Sequence, residues 1–159
     1  MTKLSEHFTL GEFIVSSTAE KLGNDNMPTP EHLKNLERLA EGMEKVRSIL
    51  GDCAIVITSG YRNPVVNNAV GGVPNSAHAL GHAADFRAAG FTAIGAARKI
   101  RDAHAAGQIA FDQLILETSR KIVHISFDPD GGTKNKGMRG DVLTQKRGAG
   151  TPFQQGLVA

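Results

Sequence analysis

The chain has 159 residues, enough to bury one core without disulfides or metals as staples. With 40% hydrophobic and 21% charged residues its composition is globular, which argues against a disordered chain. A net charge of +2 is too small to indicate nucleic acid, and with no Trp and one Tyr a base-stacking surface is not expected, although a pI near 8.8 lets the protein approach an acidic polymer without repulsion.

The first residues, Met-Thr-Lys-Leu-Ser-Glu-His-Phe, lack the long apolar core of a signal peptide, so synthesis and folding in a cytoplasm are expected. No later run approaches the ~18 apolar residues of a membrane span. Residues 7–14 form an amphipathic opening in which Phe8, Leu10, Phe13 and Ile14 can seal one edge of the core. Residues 18–30, rich in Gly, Asn and Pro, predict a loop. Thr29 as N-cap and Pro30 at the first helical position then open the clearest helix. Leu33, Leu36, Leu39, Ala40, Met43 and Val46 recur at its spacing, and Gly51 closes it.

Residues 54–58, Ala-Ile-Val-Ile-Thr, predict a mostly buried strand. The lone cysteine, Cys53, precedes it and reads as a small buried hydrophobe. A Ser-Gly-Tyr-Arg-Asn-Pro loop follows, and residues 63–77 are expected to be irregular but ordered. Residues 83–86 suit a second strand. Thr92 caps a second helix over 93–106, ended by Gly107. Residues 111–117 and 121–127 read as antiparallel strands joined at Thr118-Ser119-Arg120. Beyond Asp128 the chain turns polar and basic, with Lys134, Lys136, Arg139, Lys146 and Arg147. This tail is either a flexible extension or an arm that docks.

The run at 76–85, Ser-Ala-His-Ala-Leu-Gly-His-Ala-Ala-Asp, concentrates the chemistry. With His124 it offers two imidazoles and one carboxylate, and a catalytic zinc ion needs three such ligands with a fourth position open. His7, His32 and His104 lie in polar settings and read as satisfied surface residues. His78 and His82 are four apart, but Ala79 and Leu80 stand where the helical metalloprotease motif needs Glu, and Gly81 disfavours a helix. If Gly81 turns the chain into a strand, His82, Ala84 and Phe86 share one face and Ala83 and Asp85 the other. This favours His78 with Asp85 as ligands and leaves His82 to packing or support. His82 as a direct ligand is the alternative.

A hairpin closing with Glu117 opposite Ile122 pairs Ile115 with His124 and Gln113 with Ser126. Gln113, Glu117 and His124 then share a face, an arrangement costly to bury without a partner and better explained by a site. A slip of one residue would send Glu117 to the other face. Arg62 is either a solvated loop arginine or a bidentate clamp for a substrate carboxylate.

With Ser76, His78, Gly81, Ala83 and Asp85 in the pattern Ser-x-His-x-x-Gly-x-Ala-x-Asp and a later His124, the chain resembles the zinc D-Ala-D-Ala carboxypeptidase and L-alanyl-D-glutamate peptidase family. Phe-Thr-Leu-Gly-Glu-Phe from Phe8, Thr-Ser-Gly-Tyr-Arg ending at Arg62, Asn-Asn-Ala-Val-Gly-Gly from Asn67, Phe-Asp-Gln-Leu-Ile-Leu-Glu ending at Glu117 and Val-His-Ile-Ser ending at Ser126 look like its phage-associated branch. The resemblance covers roughly residues 7–127. It implies an α+β fold, a small antiparallel sheet with helices packed on one side and zinc in a groove on the sheet. The implied ligands are His78, Asp85 and His124, and Arg62 is the implied substrate-binding arginine.

Many members carry the catalytic carboxylate three residues before the last histidine, where this chain has Lys121, so Glu117 is the expected base. Ser76 and Gln113 are further candidates to hold substrate. The expected organisation is a catalytic domain over 1–127 with residues 128–159 as a polar, basic extension of it. The implied activity is zinc-dependent hydrolysis of peptidoglycan stem peptides by a monomer with no nucleic-acid partner. Without a secretion signal, a phage endolysin released through a pore or a lytic enzyme carried in a virion, where it has a virion partner, is expected over a host-cell carboxypeptidase. The basic tail either contacts anionic lipid or wall polymer or is simply solvated. The rival from another class is a non-catalytic, zinc-stabilised binding or virion structural module.

Overall fold

A computed structural model gives the fold and describes residues 2–133, 136–146 and 152–158. Thr9 and Glu12 form a capping box that starts α1 (Leu10–Ile14), and Phe8, Leu10 and Phe13 are buried as their pattern requires. The stretch expected to be a loop contains α2 (Ser17–Leu22). The Ser16 side chain accepts from the Ala19 amide at its start, and Gly23 closes it in the left-handed conformation, so capping at both ends sustains a helix that composition alone conceals.

In α3 (Pro30–Ile49) Thr29 accepts from the His32 amide, Pro30 occupies the first turn, and Leu36, Leu39, Ala40, Met43 and Val46 are buried. Strand β1 (Ile55–Ser59) follows, with Cys53 half-buried against the core rather than fully enclosed. The segment expected to be irregular holds two short helices, α4 (Pro64–Ala69) capped by Asn63 and α5 (Ala77–Leu80) capped by Ser76. Then come β2 (Ala83–Ala88), α6 (Ala93–Ala105) capped by Thr92, β3 (Gln113–Glu117) and β4 (Ile122–Ser126). The chain ends in β5 (Asp141–Gln145) and β6 (Gln154–Gln155).

The strands form one sheet in the order β1-β2-β4-β3-β5-β6. The fold is α+β. All neighbours are antiparallel except β3 and β5, which run parallel and so extend the small antiparallel sheet expected. The hairpin register is the expected one, with Glu117 opposite Ile122, Ile115 opposite His124 and Gln113 opposite Ser126. Ala84, Phe86, Leu114, Val123 and Ile125 pack with α3 and α6 into the core. Strand alternation turns Asp85, Glu117 and His124 to the opposite face.

The described residues of the tail dock as an arm. Asp112, 2% exposed, binds Arg139 through both carboxylate oxygens, at 2.9 Å from Nε and 2.8 Å from a terminal nitrogen, and also accepts from the Arg139 amide at 3.0 Å. The Gly140 amide donates to the Phe111 carbonyl and the Asp141 amide to that of Asp112, which sets the β3/β5 register. Of the basic residues noted in the tail, Arg139 is thus engaged, Lys136 and Lys146 are exposed, and Lys134 and Arg147 lie outside the described residues.

Burial alone would raise the Asp112 carboxyl, but the hydrogen bonds and charge of Arg139 outweigh it and hold the group below its ordinary value. A depressed folded pKa stabilises the fold above the unfolded value of about 4 and ceases to do so as pH falls through the folded one. Arg139→Ala is expected to cost about 1–3 kcal/mol in urea unfolding at pH 7, less than a fully buried pair because Arg139 is partly exposed. The gap between variant and wild type should narrow as the titrations are moved from pH 7 to below the unfolded value of about 4. A gap constant with pH would show that the pair is not what holds the arm.

Candidate metal centre

Asp85 of β2 and His124 of β4 stand directly opposite one another in the sheet, with His124 Nδ1 2.9 Å from Asp85 Oδ1. His78 arrives from the other direction. Gly81 reverses the chain between α5 and β2 at φ +82, and a Cβ there would lie 2.9 Å from the His32 carbonyl oxygen, so glycine alone fits the turn. The turn carries His78 over the sheet until its Nε2 is 3.3 Å from Asp85 Oδ1 and its ring centroid 5.1 Å from that of His124.

The ring of His78 is held in one orientation. Its Nδ1 lies 2.7 Å from the Gly60 carbonyl, which only accepts, so Nδ1 carries a proton and Nε2 is the nitrogen turned to the site. The loop that supplies this carbonyl is fixed in turn. The Arg62 amide donates to the His78 carbonyl at 3.1 Å and the Tyr61 amide to the Phe13 carbonyl at 2.7 Å. Buried Asn26 donates from its amide nitrogen to the Ile14 and Tyr61 carbonyls and accepts from the Asn63 amide.

One ligand atom from each of His78, Asp85 and His124 lies within 4.8 Å of the others, and the trio can hold a metal ion. Tetrahedral donors about 2.0–2.1 Å from an ion sit about 3.3 Å from each other, close to the His78–Asp85 separation. Asp85 is nearly sealed from water. Burial by itself would raise its carboxyl, but the charge of His78 and the hydrogen bonds from both histidines hold it well below the usual carboxylate range, so the ligand oxygen is ionised.

Around the trio opens a groove of about 540 Å³ that Arg62, Glu117, Arg120, Gln145 and Phe153 also line. Glu117 faces the trio with one oxygen, Oε1, bound by Arg120, while buried Oε2 has no hydrogen-bond partner. Arg120 also approaches Asp85 Oδ2, at 3.8 Å. Arg62 is half-buried with its Nε unpartnered. Burial lowers its pKa, which the charges of Asp85 and Glu117 partly restore against that of Arg120.

The other candidates lie elsewhere. Ser76 is outside the groove lining. Its Oγ accepts from the Ala79 amide at 3.2 Å and donates to Asn67 Oδ1 at 3.4 Å, which caps and anchors the helix that carries His78. Gln113 shares a face with Glu117 but sits four residues, about 13 Å, along the strand, and is not among the lining residues. His82 is buried with its Nε2 3.7 Å from Asp128 Oδ1 and belongs to no ligand cluster among the described residues. Sequence reading did not single out Gly60, Asn26, Arg120, Gln145 or Phe153. The i, i+3 spacing of Glu117 and Arg120 was the one local signal available. The rest depend on contacts between distant segments.

The structure is an α+β protein with a cluster of three side chains, His78, Asp85 and His124, that could hold a metal ion, and beside it a carboxylate, Glu117, with one buried oxygen unpartnered. The family model of peptidase M15 matches residues 6–126, well over half of the chain, and the chain belongs to that family. It is also similar to the zinc D-Ala-D-Ala carboxypeptidase of Streptomyces albus G, 39% identical over 59 residues that make up 36% of this chain and 23% of that protein. The matched segment thus spans about a quarter of that relative.

Titration with zinc against a chromophoric chelator is expected to show one tight site in the wild type and none in His124→Ala or Asp85→Asn. A Cβ on Gly60 would lie 2.5 Å from the Phe13 carbonyl oxygen and displace the carbonyl that orients His78. Gly60→Ala should therefore weaken the site about 10–100-fold with the ligands intact. An unchanged affinity would show that the Gly60 contact does not set the ring.

Proposed function

We propose that the protein is a zinc-dependent peptidase that hydrolyses peptide bonds in the stem peptides of bacterial peptidoglycan, acting as a monomer in the role of a phage endolysin or virion-associated lytic enzyme. One observation carries the reading: Glu117, whose buried Oε2 has no hydrogen-bond partner, lines the same groove as His78, Asp85 and His124. An unsatisfied carboxylate oxygen is costly in a fold that gains nothing from it, and beside a metal centre it is a base. Membership of the peptidase family supports the reaction type, and the zinc carboxypeptidase relative supports the metal and the substrate class. The likeness of the motif set to the phage-associated branch supports the lytic role.

His78 Nε2, Asp85 and His124 Nδ1 would hold the ion, which when bound supplies Lewis acidity towards a water and a scissile carbonyl. Glu117 Oε2 takes a proton from the attacking water and delivers it to the amine nitrogen as the carbon–nitrogen bond breaks. Arg120 binds Oε1 and leaves Oε2 without a hydrogen-bond partner. Arg62, with a donor to spare in a half-buried setting, binds a substrate carboxylate. Ser76 acts through α5, by holding His78 in place.

The reading is tested on purified peptidoglycan with zinc-loaded protein, by counting new amine termini. Wild type should release them. Glu117→Ala should keep its zinc and lose about 10²–10⁴ in kcat, whereas His78→Ala should lose zinc and turnover together. Arg62→Lys should raise KM more than it lowers kcat. No new termini from the wild type would leave the non-catalytic module standing, and full activity in Glu117→Ala would remove only the base.

A further inference from the structure

The family match ends at residue 126, yet the groove does not. Two of its lining residues, Gln145 and Phe153, come from the arm beyond that point. The arm is anchored there. The β3/β5 register sets Gln145 beside Glu117, and the Thr118 amide donates to the Gln145 carbonyl at 3.1 Å. Thr144, fully buried next to it, donates its hydroxyl to the Gly156 carbonyl at 2.7 Å and accepts from the Val158 amide at 2.9 Å, and the Gly156 amide closes on the Val142 carbonyl at 2.8 Å. These bonds fix the returning strand β6, and Phe153 stands immediately before it.

Phe153 is 52% exposed, so its ring is not spent on the core. Val70, 44% exposed, lines the same groove from the end of α4. The groove is therefore divided by chemistry. The metal trio, Arg62 and Arg120 give it charged and polar lining, suited to a carboxylate, and Phe153 and Val70 give it exposed apolar lining. A ligand matching both is an anionic peptide with a small apolar side chain placed beyond the bond to be cut.

We propose that Phe153 is a substrate-contacting, specificity-determining residue, through which the arm selects anionic peptides longer than the scissile dipeptide. This rests on the peptidase reading of the same groove. It also makes residues 128–159 part of the catalytic unit and not an appendage to it. Removing the ring of a half-exposed Phe forfeits part of its burial on binding, which corresponds to roughly a 10-fold loss of affinity.

The test is calorimetric binding in a zinc-loaded Glu117→Gln background, where peptide is not consumed. Its probes are a soluble stem pentapeptide and the dipeptides L-alanyl-D-glutamate and acetylated D-Ala-D-Ala. Adding Phe153→Ala should weaken the pentapeptide roughly 10-fold and leave the dipeptides within about twofold, and Phe153→Tyr should restore the pentapeptide. Equal loss for long and short peptides, no loss for any, or no pentapeptide binding before the ring is removed would each overturn the proposal. Pentapeptide binding that depends on Phe153, in a wild type that cleaves nothing, would uphold it and overturn the peptidase reading alone.

Discussion

The structure is organised around one carboxylate that is removed from water and kept ionised. Burying a lone carboxylate costs several kcal/mol, and Asp85 avoids this only because two imidazoles reach it, one across the sheet and one from α5. Each of those approaches constrains the fold. The β2/β4 register must set Asp85 against His124, since a slip of one residue would turn Asp85 into the apolar layer of Ala84 and Phe86. Gly81 must reverse the chain within one residue so that His78 faces back over β2. The loop after β1 must present the Gly60 carbonyl, which ties the site through Tyr61 and Asn26 to α1 at the start of the chain.

The same constraint explains the arginines. Glu117 and Asp85 line one groove, and two carboxylates at close range repel unless a cation stands between them. Arg120 does so by binding Glu117 and lying near Asp85. It uses one oxygen of Glu117 and leaves the other bare. Arg62 contributes a second positive charge from the opposite loop with its Nε still unpaired. The charged side chains of the groove are thus balanced, and two buried atoms in it, Arg62 Nε and Glu117 Oε2, have no hydrogen-bond partner.

Where the sequence was legible, the signal was local. The His78–Gly81–Asp85 spacing needs only a one-residue turn and strand alternation. The hairpin register follows once Glu117 is set opposite Ile122, because every later pair is fixed by the period of two. The short helices α2 and α4 were hidden because their Asn- and Gly-rich flanks signal loops, while a single Ser or Asn cap sustains each. The arm was open between two readings because β5 gains its place from a parallel partner and from the Asp112–Arg139 pair, 27 residues apart. No pattern within the tail encodes either. Gln145 and Phe153 reach the groove by that route, which is why neither stood out as a residue of the site.

Lys121, where the family resemblance implies a carboxylate, also finds a physical reason in the hairpin. It has φ +54 and ends the turn, so the strand proper begins at Ile122. Alternation then gives the groove face to Ile122 and His124, and sends Lys121 to the side of Val123. There it lines a cleft with Phe91 and Leu116 on the helix-facing side. An acid at this position in this turn would point away from the trio. The partner of Ile122 across the hairpin is Glu117, which does face it, and Glu117 and Asp85 are the only acidic side chains among the described residues of the groove. Asp85 is committed to two histidines. Of the two, Glu117 is the one that keeps an oxygen, Oε2, without a hydrogen-bond partner.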